Sequence, residues 1–206
     1  MTAHDLHLLA GDLWQIAGFD SGRMIRVMWM IFGLYWLVSA LKRKKTKQRE
    51  SWGQRLVYAV PLALGLWFLF RPEAHFGVLA TRFLPDTATA QIAGVLLTAA
   101  GVGFACWARY HLGTNWSGTV TLKQGHELVR TGPYRLIRHP IYTGILLALL
   151  GTAVAVGEMR GLIAAAIALG AFFIKANREE SFLAKEFGPS FAEHQRETGM
   201  FLPRFT

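Results

Sequence analysis

Between Thr131 and Gly144 the chain reads TGPYRLIRHPIYTG, a polar and aromatic stretch set between long apolar runs. Tyr134, Arg135, Arg138, His139 and Tyr142 offer positive charge, hydrogen-bond donors and aromatic faces within a few residues of one another. Gly132-Pro133 forces a turn, and Pro140 biases His139 towards extended backbone, so the segment should break the helical pattern at both ends. A second charged group follows at Lys175, Arg178, Glu179 and Glu180. Lys175 and Glu179 are one helical turn apart and share a face, which can point back at the broken stretch. At membrane depth, irregular polar backbone is tolerated only where it is buried in protein or lines a cavity. The expectation is therefore a cavity for a polar ligand, bordered by the break and by the helix carrying the acidic pair.

The elements that must hold these residues are read from hydropathy. The chain is 52% hydrophobic and 17% charged, which is not a soluble composition. A spanning helix needs roughly 20 mostly apolar residues. Five stretches approach that length: Met24 to Leu41, Leu56 to Phe70 with a bend near Pro61, Gln91 to Leu112, Ile141 to Val156 and Gly161 to Asn177. The last two, joined by the short turn 157–160, form an antiparallel hairpin. The fold class expected is thus an all-α integral membrane protein with about five transmembrane helices and a C-terminal helical hairpin. Residues 1–20 read as an interfacial amphipathic helix, 21–112 as the first three spans, and 113–206 as the chemical region with the last two. Gly94, Gly101 and Gly103 give the third span a small face for close packing. After Gly188-Pro189 a final short helix is expected over Ser190 to Thr198.

Charge adds orientation. Of the 22 Lys and Arg residues, 17 fall in 42–55, in 109–140 or from Lys175 onwards. Alternation of five spans puts those three segments on one side, the cytoplasmic one by the positive-inside rule, with the polar break among them. The net charge of +9 is explained by these membrane edges, and none of the modules that read nucleic acid is visible. Cys106 is the only cysteine and lies in an apolar run, which leaves out a disulfide framework or a cysteine zinc site. No metal site is expected. The N-terminus lacks signal-peptide order, so the first span is expected to serve as its own insertion signal.

His126 to Gly144, HELVRTGPYRLIRHPIYTG, followed one helical hairpin later by Lys175 to Gly188, KANREESFLAKEFG, resembles the isoprenylcysteine carboxyl methyltransferase family and its phospholipid methyltransferase relatives. The resemblance covers roughly the C-terminal half, from Leu112 to Pro203. It implies a multi-pass enzyme that takes S-adenosylmethionine from the cytosol and a lipophilic substrate from the bilayer. Carried over by position, it places cofactor contacts on His126, Glu127, Leu128, Val129, Tyr134, His139, Pro140, Ile141 and Tyr142, and the acidic cofactor-binding residue at Glu179. Lys175 stands where a basic residue is associated with substrate, with Arg178 as its helper, so Lys175 and Glu179 are the residues implied for catalysis. Where relatives commonly carry tyrosines after the FG pair, this chain has Phe191 and His194.

The residues suit that role on their own terms. The cofactor presents a sulfonium, an ammonium, a carboxylate and an adenine. Tyr134 and Tyr142 can supply π-faces, and Glu179 can pair with the ammonium. A carboxylate acceptor is ionised near neutral pH and needs no base, so catalysis reduces to positioning, with Lys175 orienting the nucleophile. A lipid amine or small thiol would need deprotonation, and His139, His194 or Glu180 would then be candidate bases. Other readings stand beside these. Arg135 and Arg138 can hold lipid phosphates, and the Glu179-Glu180 pair can be a solvated helix end. Membrane NAD(P)H-dependent steroid or lipid reductases resemble the same motifs but often read HPNY with a nearby Glu, where this chain has Ile141 and Ile145. A non-catalytic scaffold would have no need of His139, Tyr142 and Glu179 beside the membrane.

Overall fold

The computed structural model describes residues 20–41, 46–49, 51–71, 76–116, 121–123 and 128–204. The amphipathic helix expected over 1–20 and the candidate residues His126 and Glu127 therefore lie outside the described residues, apart from Asp20. Asp20 caps the first described helix, α1 (Ser21–Ala40), by accepting from the Arg23 amide at 2.8 Å. Helix α2 (Trp52–Phe70) begins with a capping box between Ser51 and Gln54 and continues through Pro61. Helix α3 (Ala88–Leu112) starts at a Thr87 cap and stops at Gly113, whose φ of 55° favours glycine. Helices α4 (Pro140–Val156) and α5 (Met159–Phe187) form the expected hairpin around Gly157. Gly188 ends α5, and the short α6 (Pro189–Glu197) follows.

Three of these helices, α2, α3 and α5, are long and apolar enough to cross a membrane by length and composition. All five expected stretches form helices, and the one over 140–156 is short for a perpendicular span. Helix α4 has only 17 residues, about 25 Å at 1.5 Å per residue against a hydrocarbon core of about 30 Å. Large apolar side chains are exposed along the bundle, among them Leu34, Leu64, Leu96 and Phe173, as befits a protein whose solvent is lipid. The protein is a helical membrane protein. To the all-α expectation the structure adds one two-stranded antiparallel ladder, β1 (Thr46–Arg49) against β2 (Thr121–Lys123).

The tightest seam joins α3 to α4. A Cβ at Gly101 would lie 2.3 Å from the Ala148 amide nitrogen, and one at Gly151 would lie 2.4 Å from that of Thr98. Gly94 and Gly144 are closed in the same way, against Ala155 and Ala105. Small residues let the backbones touch, which is how helices gain packing where hydrophobic burial offers little. Gly103, expected on this face, meets nothing within 4 Å. Two residues beyond Gly101 the helix has turned by about 200°. Thr98 and Thr152 add polar contacts inside the seam, with Oγ1 atoms 3.4 Å apart, and the Trp29 indole donates to Thr152 Oγ1 at 3.1 Å.

The two ends of the bundle differ in what they gather. At one end the connection before α3 meets the α4–α5 turn, where the Phe83 amide donates to the Gly157 carbonyl at 2.9 Å and the Met159 amide to that of Thr81 at 2.9 Å. At the other end lie the β1–β2 ladder, the polar break and the C-terminal segment. There Ile137 and Gly199 form a parallel bridge, the Arg138 amide donates to the Gly199 carbonyl at 2.9 Å, and the His139 amide donates to that of Met200 at 3.0 Å. The segments in which basic residues concentrate thus meet at one end, as alternation of the helices requires.

Candidate active site

Gly132–Arg135 forms a single 3-10 turn, with Gly132 at φ 57° and Pro133 in its second position. This turn buries Tyr134 and leaves Arg135 exposed. His139 leaves the helical region (φ −122°, ψ 57°), and Pro140 then opens α4 where a missing amide hydrogen does no harm. The break is therefore held as the sequence dictates. Its consequence is that His139 and Tyr142, three residues apart, stack at 5.4 Å and 6°. Phe172 of α5 extends the stack, with its ring 4.7 Å from that of Tyr142 at 10°. Phe201 meets His139 edge-on at 6.1 Å.

The polar atoms converge on two neighbouring carboxylates. The Tyr142 hydroxyl donates to Glu179 Oε1 at 2.6 Å, Lys175 Nζ lies 3.9 Å from the same oxygen, and His139 Nδ1 lies 3.5 Å from Glu179 Oε2. His139 Nε2 lies 3.1 Å from Glu180 Oε1, which also accepts from Arg138 Nε at 2.7 Å. Gln195 of α6 donates to Glu180 Oε2 at 2.7 Å. Glu180 is thus enclosed on both oxygens, with its side chain 10% exposed, whereas that of Glu179 keeps 23%. Of the two, Glu179 is the carboxylate with room for a further partner.

Electrostatics follow from these contacts. Burial alone would push the His139 pKa down, but the hydrogen bonds and charges of Glu179 and Glu180 outweigh it and hold it above the ordinary imidazole value. Burial, then the charge of Glu179, raises the Tyr134 phenol, which stays protonated. His194 is shifted the other way, lowered by burial and by the nearby Arg130 and Arg138.

The site residues named from the sequence are brought together unevenly. His139, Tyr142, Lys175 and Glu179 meet directly, and Tyr134 is close enough for Glu179 to shift its pKa. Pro140 and Ile141 are buried, and Leu128 and Val129 are half-buried, Val129 against the core. Arg178 goes elsewhere, donating to the Gln54 carbonyl on α2. Phe191 is buried to 1% and His194 to 4%, so the two positions that depart from the tyrosine pattern fill interior space on α6. Arg138 pairs with Glu180. Sequence reasoning missed Phe172, Gln195 and the joining role of Glu180. Phe172 carried a signal, because it precedes Lys175 by three residues and Glu179 by seven, on the same helical face. Gln195 carried none, since it reaches Glu180 only through the α5–α6 turn.

Part of the chain is similar to known proteins. Residues 89–190 match the family model for phospholipid methyltransferases. The chain is 36% identical over 85 residues to the cobalt-zinc-cadmium resistance protein of Cupriavidus metallidurans, covering 41% of this chain and 39% of that protein. It is 30% identical over 112 residues to the protein-S-isoprenylcysteine O-methyltransferase of Schizosaccharomyces pombe, covering 50% and 48%. The match to each thus spans half or less of the relative's length. A solved structure of the eukaryotic intramembrane Ras methyltransferase, isoprenylcysteine carboxyl methyltransferase, aligns over 75% of this chain and 53% of that one, with a TM-score of 0.48 and 24% identity. Residues 89–190, the segment similar to phospholipid methyltransferases, hold the broken segment, the ring stack and both acidic residues of α5, and isoprenylcysteine O-methyltransferases are among the proteins to which the chain is similar.

Proposed function

We propose that this protein is an S-adenosylmethionine-dependent membrane methyltransferase of the isoprenylcysteine carboxyl methyltransferase type. It would transfer a methyl group to a lipophilic acceptor drawn from the bilayer, best a carboxylate such as that of a prenylated cysteine. The observation that carries this reading is Glu179, a partly open carboxylate bound by Tyr142 at 2.6 Å and set beside the stack of His139, Tyr142 and Phe172. The residues fit the cofactor, because a carboxylate for its ammonium and aromatic faces for its adenine or sulfonium stand together. When bound, S-adenosylmethionine supplies a methyl group on a positively charged sulfur. The chain's own part is then to bind and orient.

Glu179 and Tyr142 hold the donor side. Tyr134, Leu128 and Val129 border it, and the family resemblance adds His126 and Glu127 as cofactor-binding residues. Lys175 faces the acceptor and fixes an anionic nucleophile in line, which needs no general base. Arg178, tied to α2, supports the helix from outside this group. In this reading the site lies on the cytoplasmic face, where the three basic segments meet.

The test is methyl transfer from labelled S-adenosylmethionine to farnesylcysteine analogues and to a total lipid extract. Alkali-labile label on the farnesylcysteine would mark an ester. Calorimetry with S-adenosylhomocysteine and NADPH separates this function from a reductase, since binding of NADPH alone would overturn it. Lys175→Met should lower transfer to a carboxylate by about tenfold while leaving S-adenosylhomocysteine affinity within about twofold, because the lost attraction acts on the nucleophile.

A further inference from the structure

Helix α2 lies outside the segment matched by the family model, yet it reaches the site. It runs along α5 in three steps: the Gln54 carbonyl accepts from Arg178, Tyr58 packs on Ala171, and Gly65 faces Ile167. The middle step is the informative one. Tyr58 is only 4% exposed, and Lys175 Nζ lies over its ring at 5.6 Å from the centroid. The same ammonium lies over the Tyr142 ring at 5.2 Å. Lys175 is thus held between one aromatic face from α2 and one from α4, with Glu179 at 3.9 Å.

A ring and a carboxylate hold a cation differently. A carboxylate neutralises it, whereas a π-face attracts it and leaves its charge and its protons available to another partner. Resting on the methyltransferase reading above, we propose that Tyr58 is a positioning residue for the acceptor: with Tyr142 it cages the Lys175 ammonium so that the charge is presented to an anionic acceptor. Once Glu179 is engaged by a cationic ligand group, the two rings keep Lys175 in place without cancelling it. The cage selects a carboxylate over an amine, because a protonated amine would meet a fixed like charge. Acceptor selection then depends on a helix that precedes the family-matched segment, while donor binding stays within it.

The experiment uses the full chain in detergent or nanodiscs, as wild type and as Tyr58→Phe, Tyr58→Leu and Tyr58→Met. Carbon-13 labelled lysine, with Lys175 assigned through Lys175→Arg, reads the cage directly. In the wild type the Lys175 ε-protons should be shifted upfield by the two rings, and an ordinary shift there overturns the cage whatever the variants do. With a farnesylcysteine analogue, Tyr58→Leu and Tyr58→Met should raise KM by about tenfold with kcat and S-adenosylhomocysteine affinity within about twofold. Tyr58→Phe, which keeps the ring, should restore both KM and the upfield shift. An unchanged KM in the aliphatic variants, or a Phe variant as impaired as Leu, overturns the inference and leaves the methyltransferase intact. Wild-type protein that binds no S-adenosylhomocysteine removes the methyltransferase reading itself, and this inference with it.

Discussion

Each end of the helix bundle buries a glutamate against an arginine at 2.7 Å. At one end Arg160 donates to Glu158, two residues away, and to the Arg71 carbonyl. At the other, Arg138 donates to Glu180 across 42 residues, joining the polar break to α5. The pairs are nearly alike in length and in burial of their side chains. Their surroundings are not alike. The Glu158 pair closes the turn between α4 and α5 and, through the Arg71 carbonyl, ties it to the end of α2. The Glu180 pair stands beside His139 and a second carboxylate with residual access, so it holds the wall of the candidate site. A buried ion pair is therefore no marker of function until its neighbours are counted.

The largest effect that would break or sharpen this contrast is on stability. Glu180→Gln leaves the Arg138 guanidinium without its countercharge, and removing one partner of a buried pair costs about 3–5 kcal/mol. Thermal unfolding in detergent should show a large drop, and S-adenosylhomocysteine binding should weaken because His139 loses its support. Glu158→Gln should lose less stability, since Glu180 holds His139 and Gln195 as well as its arginine, and should leave cofactor affinity unchanged. A fall in affinity in both variants would erase the distinction between the ends. Next in size is Glu179→Gln, which replaces a charge-assisted contact worth roughly 1.5–3 kcal/mol and should weaken S-adenosylhomocysteine about tenfold to a hundredfold, with little change in unfolding. Wild-type affinity in that variant would return Glu179 to a solvated helix end.

The smallest effect is on pH dependence, and it again separates neighbours. The raised pKa of His139 gives stability that is fully present below the unfolded value near 6.5 and is lost as pH rises through the folded one. His194, lowered, is the reverse: its contribution is present above about 6.5 and is lost as pH falls through its folded value. The two together place a stability maximum near that value. Unfolding midpoints against pH should lose the alkaline decline in His139→Asn and the acid decline in His194→Asn, and an unchanged profile in either would remove that residue's part.

Much of this contrast was legible in the sequence because it is local. The turn at Gly132-Pro133, the helix start at Pro140, the hairpin and the shared face of Lys175 and Glu179 follow from spacing alone. What spacing could not reveal is pairing across distance. Arg138 is equally at home on lipid phosphate until α5 brings Glu180 to it, and Tyr58 has no local mark of the site 117 residues downstream at Lys175. The β1–β2 ladder was hidden for a related reason. TKQR and TLK are too short and too polar to show a strand period, and they pair only because the bundle brings their ends together. Gly103 was misplaced by counting glycines without following the helix around, since only Gly94 and Gly101 of the three lie against α4.

The seam between α3 and α4 bears on how this protein can vary. Every single-base change in a glycine codon that alters the residue adds at least a Cβ or ends the chain, and at Gly94, Gly101, Gly144 and Gly151 that atom would lie 2.3–2.6 Å from backbone nitrogen of the facing helix. In a library of all single substitutions these four codons should stand out as the intolerant rungs of a ladder, with Gly103 an untroubled control two positions away. Inheritance has no gradual route through those positions: the helices must part before any of the four can change.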